Sequence, residues 1–213
     1  MKTKTSSNVV FSLVLLSVLI GVYFYPQLPE SMATHWGLSG EANGYMSKFW
    51  GVFLFPIILF GLSLMLLFFP KIDPLKKDFV GFKKYYNAFI VFMIGFLFYV
   101  YILSMVWNLG FVFNINHFII PAIGLLFFYL GSILEHLKRN WFIGIKTPWT
   151  LSSDSVWNKT HKLGSKLFKL MGVIAFIGIF FEKYLIWFIF VPVFLVVIIL
   201  FAYSYFTYQK EKR

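Results

Sequence analysis

The stretch Leu185-Ile-Trp-Phe-Ile-Phe-Val-Pro-Val-Phe-Leu-Val-Val-Ile-Ile-Leu-Phe-Ala-Tyr-Ser-Tyr-Phe206 contains no charged residue. A helix of about 20 apolar residues is what it takes to cross the hydrocarbon core of a bilayer, roughly 30 Å thick. Only 13% of the whole chain is charged and 60% is hydrophobic. A soluble domain carries about 25% charged residues to cover its surface, so the solvent implied here is lipid. Working outward, four more runs read as spans: 9–25, 50–69, 86–107 and 118–137.

A sixth run, 167–181, is shorter. Between Lys169 and Glu182 lie 12 uncharged residues, about 18 Å of helix, which crosses only if flanking lysines snorkel. Lysine sorting supports the crossing. With six spans and a cytoplasmic N-terminus, 17 of the 19 basic residues fall inside, including Lys71, Lys76, Lys77 and Arg213, while Lys48 and Lys183 fall outside. The expected fold is an all-α membrane protein, a bundle of about six transmembrane helices plus a cytoplasmic amphipathic helix, with both termini in the cytoplasm. The exit Tyr25-Pro26-Gln27 lacks a small-residue cleavage pattern, so the first run reads as a retained span. Pro70 and Pro74 are expected to stop the second helix.

Two loops carry the distinctive residues. In the outer one, Gly37, Gly40 and Gly44 with Asn43 read as tight turns at positive φ. His35 and Trp36 beside Tyr45 read as an outward-facing aromatic platform, set against the plainer reading of an interfacial aromatic belt. Glu30, His35 and Glu41 are dispersed donors without a recognised metal spacing, and no metal or cofactor is expected.

The inner loop runs from Asn140 through Gly144, Lys146, Thr147, Pro148, Trp149 and Thr150, extended or turn-like because Pro148 disfavours helix at Thr147. Ser152 or Ser153 then caps a helix with Asp154 in its first turn. On that helix Lys159, Lys162, Lys166 and Lys169 share one arc of about 80°, opposite Val156, Trp157 and Leu163. The stripe reads first as a helix in the headgroup layer facing anionic lipid, and second as a dock for an acidic protein face. His161 lies toward the apolar side and reads as packed; Glu135-His136 reads as a helix-end pair. No direct contact with nucleic acid is expected: the +11 charge is membrane sorting.

The span interiors hold no Asp, Glu, Lys, Arg or His, which disfavours a charge-relay transporter. Serines 12, 17, 63, 104, 132 and 204 are their polar inventory. No nucleophile elbow, Walker motif or dinucleotide loop occurs, so nothing positive points to an enzyme.

At these loops the chain resembles a known family. Leu28-Pro29, His35-Trp36, Gly40 to Tyr45 and Ser47-Lys48 are similar to the N-terminal DUF1648-type segment found with the SdpI immunity proteins. Asn140, Ile143 to Leu151, Val156-Trp157, Thr160-His161 and Gly164 resemble that family's second signature. Two departures stand out: Lys146 where the family usually shows Arg, and Ser165 where a second Gly is common. Lysine lacks the planar bidentate fork of arginine. The resemblance divides the chain into 1–70, two spans and the outer loop, and 71–213, four spans with the cytoplasmic loop 138–169. It implies a plasma-membrane protein protecting the cell against a secreted, membrane-active peptide toxin, the sporulation-delaying protein. In the best-known case it also implies holding a cytoplasmic autorepressor at the membrane. Two readings stay open beside it: a small-molecule transporter or channel, and an integral-membrane enzyme built on His35 or His161.

Overall fold

The computed structural model describes residues 2–75 and 79–212; Lys76, Lys77 and Arg213 of the lysine sorting lie outside them. In chain order the elements are α1 (Thr3–Phe24), β1 (Ser31–Trp36), β2 (Ala42–Ser47), α2 (Lys48–Ile72), α3 (Lys83–Asn108), α4 (Asn116–Leu134), α5 (Pro148–Ser152), α6 (Asp154–Gly178) and α7 (Trp187–Glu211). Among the described residues five helices are long and apolar enough to cross a membrane: α1 with the turn that follows it, α2, α3, α4 and α7. The expectation of an all-α membrane protein holds, with one two-stranded hairpin added. Large apolar side chains stay exposed along these helices, among them Leu15, Leu19, Ile57, Phe60, Phe194 and Val197. In water such a surface would be a liability; against acyl chains it costs nothing.

Three sequence expectations are corrected. The lysine-striped amphipathic helix and the run 167–181 are not separate pieces: α6 runs unbroken from Asp154 to Gly178. The second helix passes Pro70 and ends at Ile72: the proline removes one N–H from the ladder without ending the helix at that residue. The segment 140–151, expected to be extended or turn-like, contains the short helix α5, opened by Pro148 at its first position, where a missing N–H costs nothing.

The chain clusters into two units, Met1–Leu67 with Asn87–Ile119 and Phe68–Tyr86 with Ile120–Arg213. In the first, Leu28, Met32, Val52, Tyr101 and Met105 form the core. Gly21 lets α1 approach closely: a Cβ there would sit 2.8 Å from Val52 and 2.9 Å from the Tyr101 hydroxyl. That hydroxyl donates to the Ser17 carbonyl at 3.1 Å. In the second unit, Met171, Val196 and Leu200 form a core that Ile145, Leu163 and Phe168 extend. There α4 and α6 cross almost backbone to backbone. A Cβ on Gly172 would lie 2.6 Å from the Gly124 carbonyl, and one on Gly131 would lie 2.7 Å from the Lys169 amide. Small residues at membrane helix crossings exploit dispersion at this close range.

Candidate functional site

The hairpin loop is built from the turn outward. Gly40, at φ +81°, makes the tight turn, with Gly40 N–H donating to the Gly37 carbonyl. Gly37 and Gly44, also expected at positive φ, are instead close-approach positions: a Cβ on Gly44 would sit 2.9 Å from His35 Cβ. Asn43-Gly44 lies inside β2, pairing with β1 in a register from Ser31↔Ser47 to Trp36↔Ala42. His35 Nδ1 and Asn43 Oδ1 are 2.6 Å apart across the hairpin. Trp36 packs edge-on against Trp107 at 5.8 Å, while Tyr45, the register partner of Ala33, leaves its ring exposed. Glu30 pairs with Lys48 at 2.9 Å. Among the described residues no group of three His, Asp or Glu side chains is placed to hold a metal ion.

What anchors this hairpin escaped sequence reading. Asn108 is buried and accepts the Ala33 N–H at 2.8 Å while donating to the Ala33 carbonyl at 2.9 Å and to Ser104 at 2.9 Å. It replaces a missing strand partner at one residue. Asn114 Nδ2 donates to the Ser39 carbonyl and Asn116 Nδ2 to the Leu38 carbonyl. The loop 108–117 looked featureless because it is uncharged; its signal was three asparagines in nine residues.

The second loop is a single hydrogen-bonded object. Asn140, buried, uses its whole amide: Oδ1 accepts the N–H groups of Phe142 and Ile143, and Nδ2 donates to the carbonyls of Lys138 and Ile143. Gly144 follows at φ +119°, where a Cβ would meet His161 Nε2 at 2.5 Å and the Trp157 ring at 3.0 Å. His161 is held from both sides. The Ile145 N–H donates to Nε2 at 3.0 Å, so Nδ1 carries the proton and donates to the Trp157 carbonyl at 2.9 Å. The imidazole stacks on Trp157 with centroids 3.9 Å apart, and Trp157 Nε1 donates to the Leu137 carbonyl at 2.8 Å.

Thr147 and Thr150 form a reciprocal cap on α5. The Thr147 hydroxyl reaches Ser204 on α7 at 3.1 Å, and the Thr150 hydroxyl donates to the Ile145 carbonyl at 2.8 Å. Trp149 packs edge-on against Phe201 and Tyr205. Ile145 fills the space that a side chain at Gly164 would need, its Cδ1 in close approach to that position. Ser153 caps α6, as expected, by accepting the Val156 N–H at 3.3 Å. Thr160 is fully buried on the same face.

Lys146 does not present an empty cation. Its Nζ donates to the carbonyls of Trp141 and Phe142, each at 3.2 Å, tying down the loop that carries it. Two residues missed in the sequence complete the frame. Asp73 is buried and accepts the N–H groups of Leu75 and Trp141. Arg139 donates to the Leu151 carbonyl at 2.8 Å and pairs with Asp154 at 2.9 Å. Lys159, Lys162 and Lys166 are exposed, while Lys169 is 3.8 Å from Glu135. His136 stacks on Tyr85.

Ser153 donates to Glu211 at 2.6 Å, an exposed hydroxyl–carboxylate pair that belongs to the cap of α6. His161 spends both nitrogens on backbone, and the span serines 17, 63, 132 and 204 donate to carbonyls of their own helices. Burial pushes His161 down to about 4, against the smaller opposite effect of its bond to the Trp157 carbonyl. The imidazole is therefore neutral when folded. As pH falls from about 6.5 toward 4 the unfolded chain binds a proton that the folded chain refuses, so stability is lost in that window, by about 3 kcal/mol in all. The thermal midpoint in detergent is expected to fall between pH 7 and about pH 4.5, and His161→Gln is expected to flatten that slope.

Residues 12–60 match the family described as a domain of unknown function, DUF1648, and residues 136–204 match the SdpI/YfhL protein family. The first match runs from α1 through the hairpin into α2, and the second from the Asn140 loop through α6 to Ser204. Immunity protein SdpI of Bacillus subtilis (strain 168) is 27% identical over 199 residues, 93% of this chain and 93% of that protein. No solved structure matches. The resemblance read in the two loops is borne out on both.

Proposed function

We propose that this chain is an integral membrane immunity protein that protects its cell from a secreted, membrane-active peptide toxin. The observation that carries this reading is the similarity to an immunity protein along 93% of both chains, spanning both built loops. The physical organisation is compatible with it: the multi-pass apolar helices keep the protein in the membrane the toxin attacks. The hairpin face around His35, Asn43 and Tyr45, pinned by Asn108, is the toxin-facing surface in this reading. With the apolar half of α6 counted as a sixth crossing beside the five long apolar helices, lysine sorting favours the hairpin outside and both termini, with the Asn140 loop, in the cytoplasm.

The test is expression in a strain sensitive to the candidate toxin, with membrane insertion verified. Survival should rise, and unchanged killing rejects the reading for that toxin. Reporter tags on the two termini should both report the cytoplasm.

A signalling branch to a cytoplasmic repressor is favoured by Trp141. Its ring is exposed while Asp73 holds its N–H and Lys146 its carbonyl, a rigid aromatic anchor of the kind that docks partners. Trp141→Ala should abolish toxin-dependent derepression of the autorepressor's own promoter and leave survival intact when the variant is expressed from an independent promoter.

A further inference from the structure

Helix α6 turns one continuous face outward, and that face changes chemistry part-way along. Lys159, Lys162 and Lys166 are exposed on its first half, and Leu170, Val173 and Ile177 on its second. At about 100° per residue the three apolar side chains fall within about 20° of the lysine arc. The opposite face is buried along the whole helix, from Trp157, Thr160, His161 and Gly164 to Gly172 and Ala175. The lysine stripe and the exposed apolar stripe are thus one surface, and a single environment on that side must satisfy both. Leu170 is 53% exposed, and Phe180, just beyond the helix, is 85% exposed, too apolar a surface for water.

We infer that this face of α6 is a lipid seam, with acyl chains along Leu170, Val173 and Ile177 and the phosphates of anionic lipid at Lys162 and Lys166. The spacing fits. Lys166 lies about 6 Å up the helix from Leu170 and Lys162 about 12 Å. The headgroup layer is roughly 5–7 Å deep on each side, and lysine stems reach further still. Lys159, about 17 Å up, stands in water beside Glu211. Lys162 and Lys166 take part in no ion pair among the described residues. An acidic protein dock would account for the lysines and leave the apolar continuation bare. Lipid accounts for both. This inference is independent of the immunity reading.

The chain has no cysteine, so single substitutions in the full-length protein label cleanly. Nitroxides at Lys159→Cys, Lys166→Cys, Leu170→Cys, Val173→Cys and Ile177→Cys are read in phosphatidylcholine vesicles containing phosphatidylglycerol. Preference for oxygen over a water-soluble relaxant should switch between 166 and 170 and be greatest at 173 and 177. Labels at 170, 173 and 177 that are as water-accessible as the one at 159, or shielded from both reagents, overturn the seam. In mixed nanodiscs, Lys162→Gln with Lys166→Gln should lower retention of phosphatidylglycerol over phosphatidylcholine by about 25-fold, fivefold per lysine. Unchanged selectivity overturns the phosphate contact. So does quenching of the 166 label by poly-glutamate in place of phosphatidylglycerol, which identifies an acidic protein dock.

Discussion

Gly144→Val is expected to cost about 5 kcal/mol and to remove the folded Asn140 loop. Three effects add at one position. The backbone stands at φ +119°, where a β-branched residue carries about 1–3 kcal/mol of strain. The new Cβ would lie 2.5 Å from His161 Nε2 and 3.0 Å from Trp157, a fully buried ring with no room to retreat. Moving the imidazole would leave the Ile145 N–H without its acceptor, a further 1–3 kcal/mol or so. Against a typical total of 5–15 kcal/mol, most copies would fail to mature. The measurement is membrane yield and thermal midpoint in detergent, with Gly61→Ala as the comparison. Gly61 has nothing within 4 Å of its Cβ position, so alanine there should leave the midpoint unchanged or raise it slightly. A Gly144→Val protein that melted with the wild type would refute the interlock of the Gly144 backbone with His161.

Asn108→Leu comes second, at about 4 kcal/mol. The side chains are similar in size, so packing is nearly conserved and the loss is polar. Ala33 is 1% exposed, and without the amide both its N–H and its carbonyl stand unpaired. Each such orphan costs about 1–3 kcal/mol. Asn108→Asp should fall between, since it can still accept the Ala33 N–H but no longer donates to the Ala33 and Ser104 carbonyls. The readout is protease cutting between Ser31 and Ser47, faster in Asn108→Leu while the helices stay folded. If the hairpin is the toxin-facing surface, immunity should fall in the same order as protection.

Both substitutions act where sequence reading stopped. In the sequence Gly144 is one position of a motif, and nothing linear shows that it faces a histidine 17 positions further on. Asn108, one asparagine at a helix end, carries no periodic signal; its value lies in meeting Ala33, 75 positions away. Asp73 and Arg139 stand in the sequence only as charges, although each holds backbone of the same loop. The outer glycines were read by their commonest use, positive φ, which holds for Gly40 alone. Gly37 and Gly44 are glycines because a neighbouring side chain occupies the place of a Cβ.

Lipid as solvent, the long apolar helices, a serine cap on α6 at position 152 or 153 and the arc shared by four lysines were determined by the sequence itself. Each depends on composition or on spacing within about two turns, which a linear reading contains. The unbroken course of α6, the backbone crossing at Gly124 and Gly172, the seat of His161 and the clamp of Asn108 on Ala33 were decided by tertiary structure alone. There the partner of each group is set by which segments meet in space, and a buried polar group or a missing Cβ acquires its meaning only from the atom that it faces.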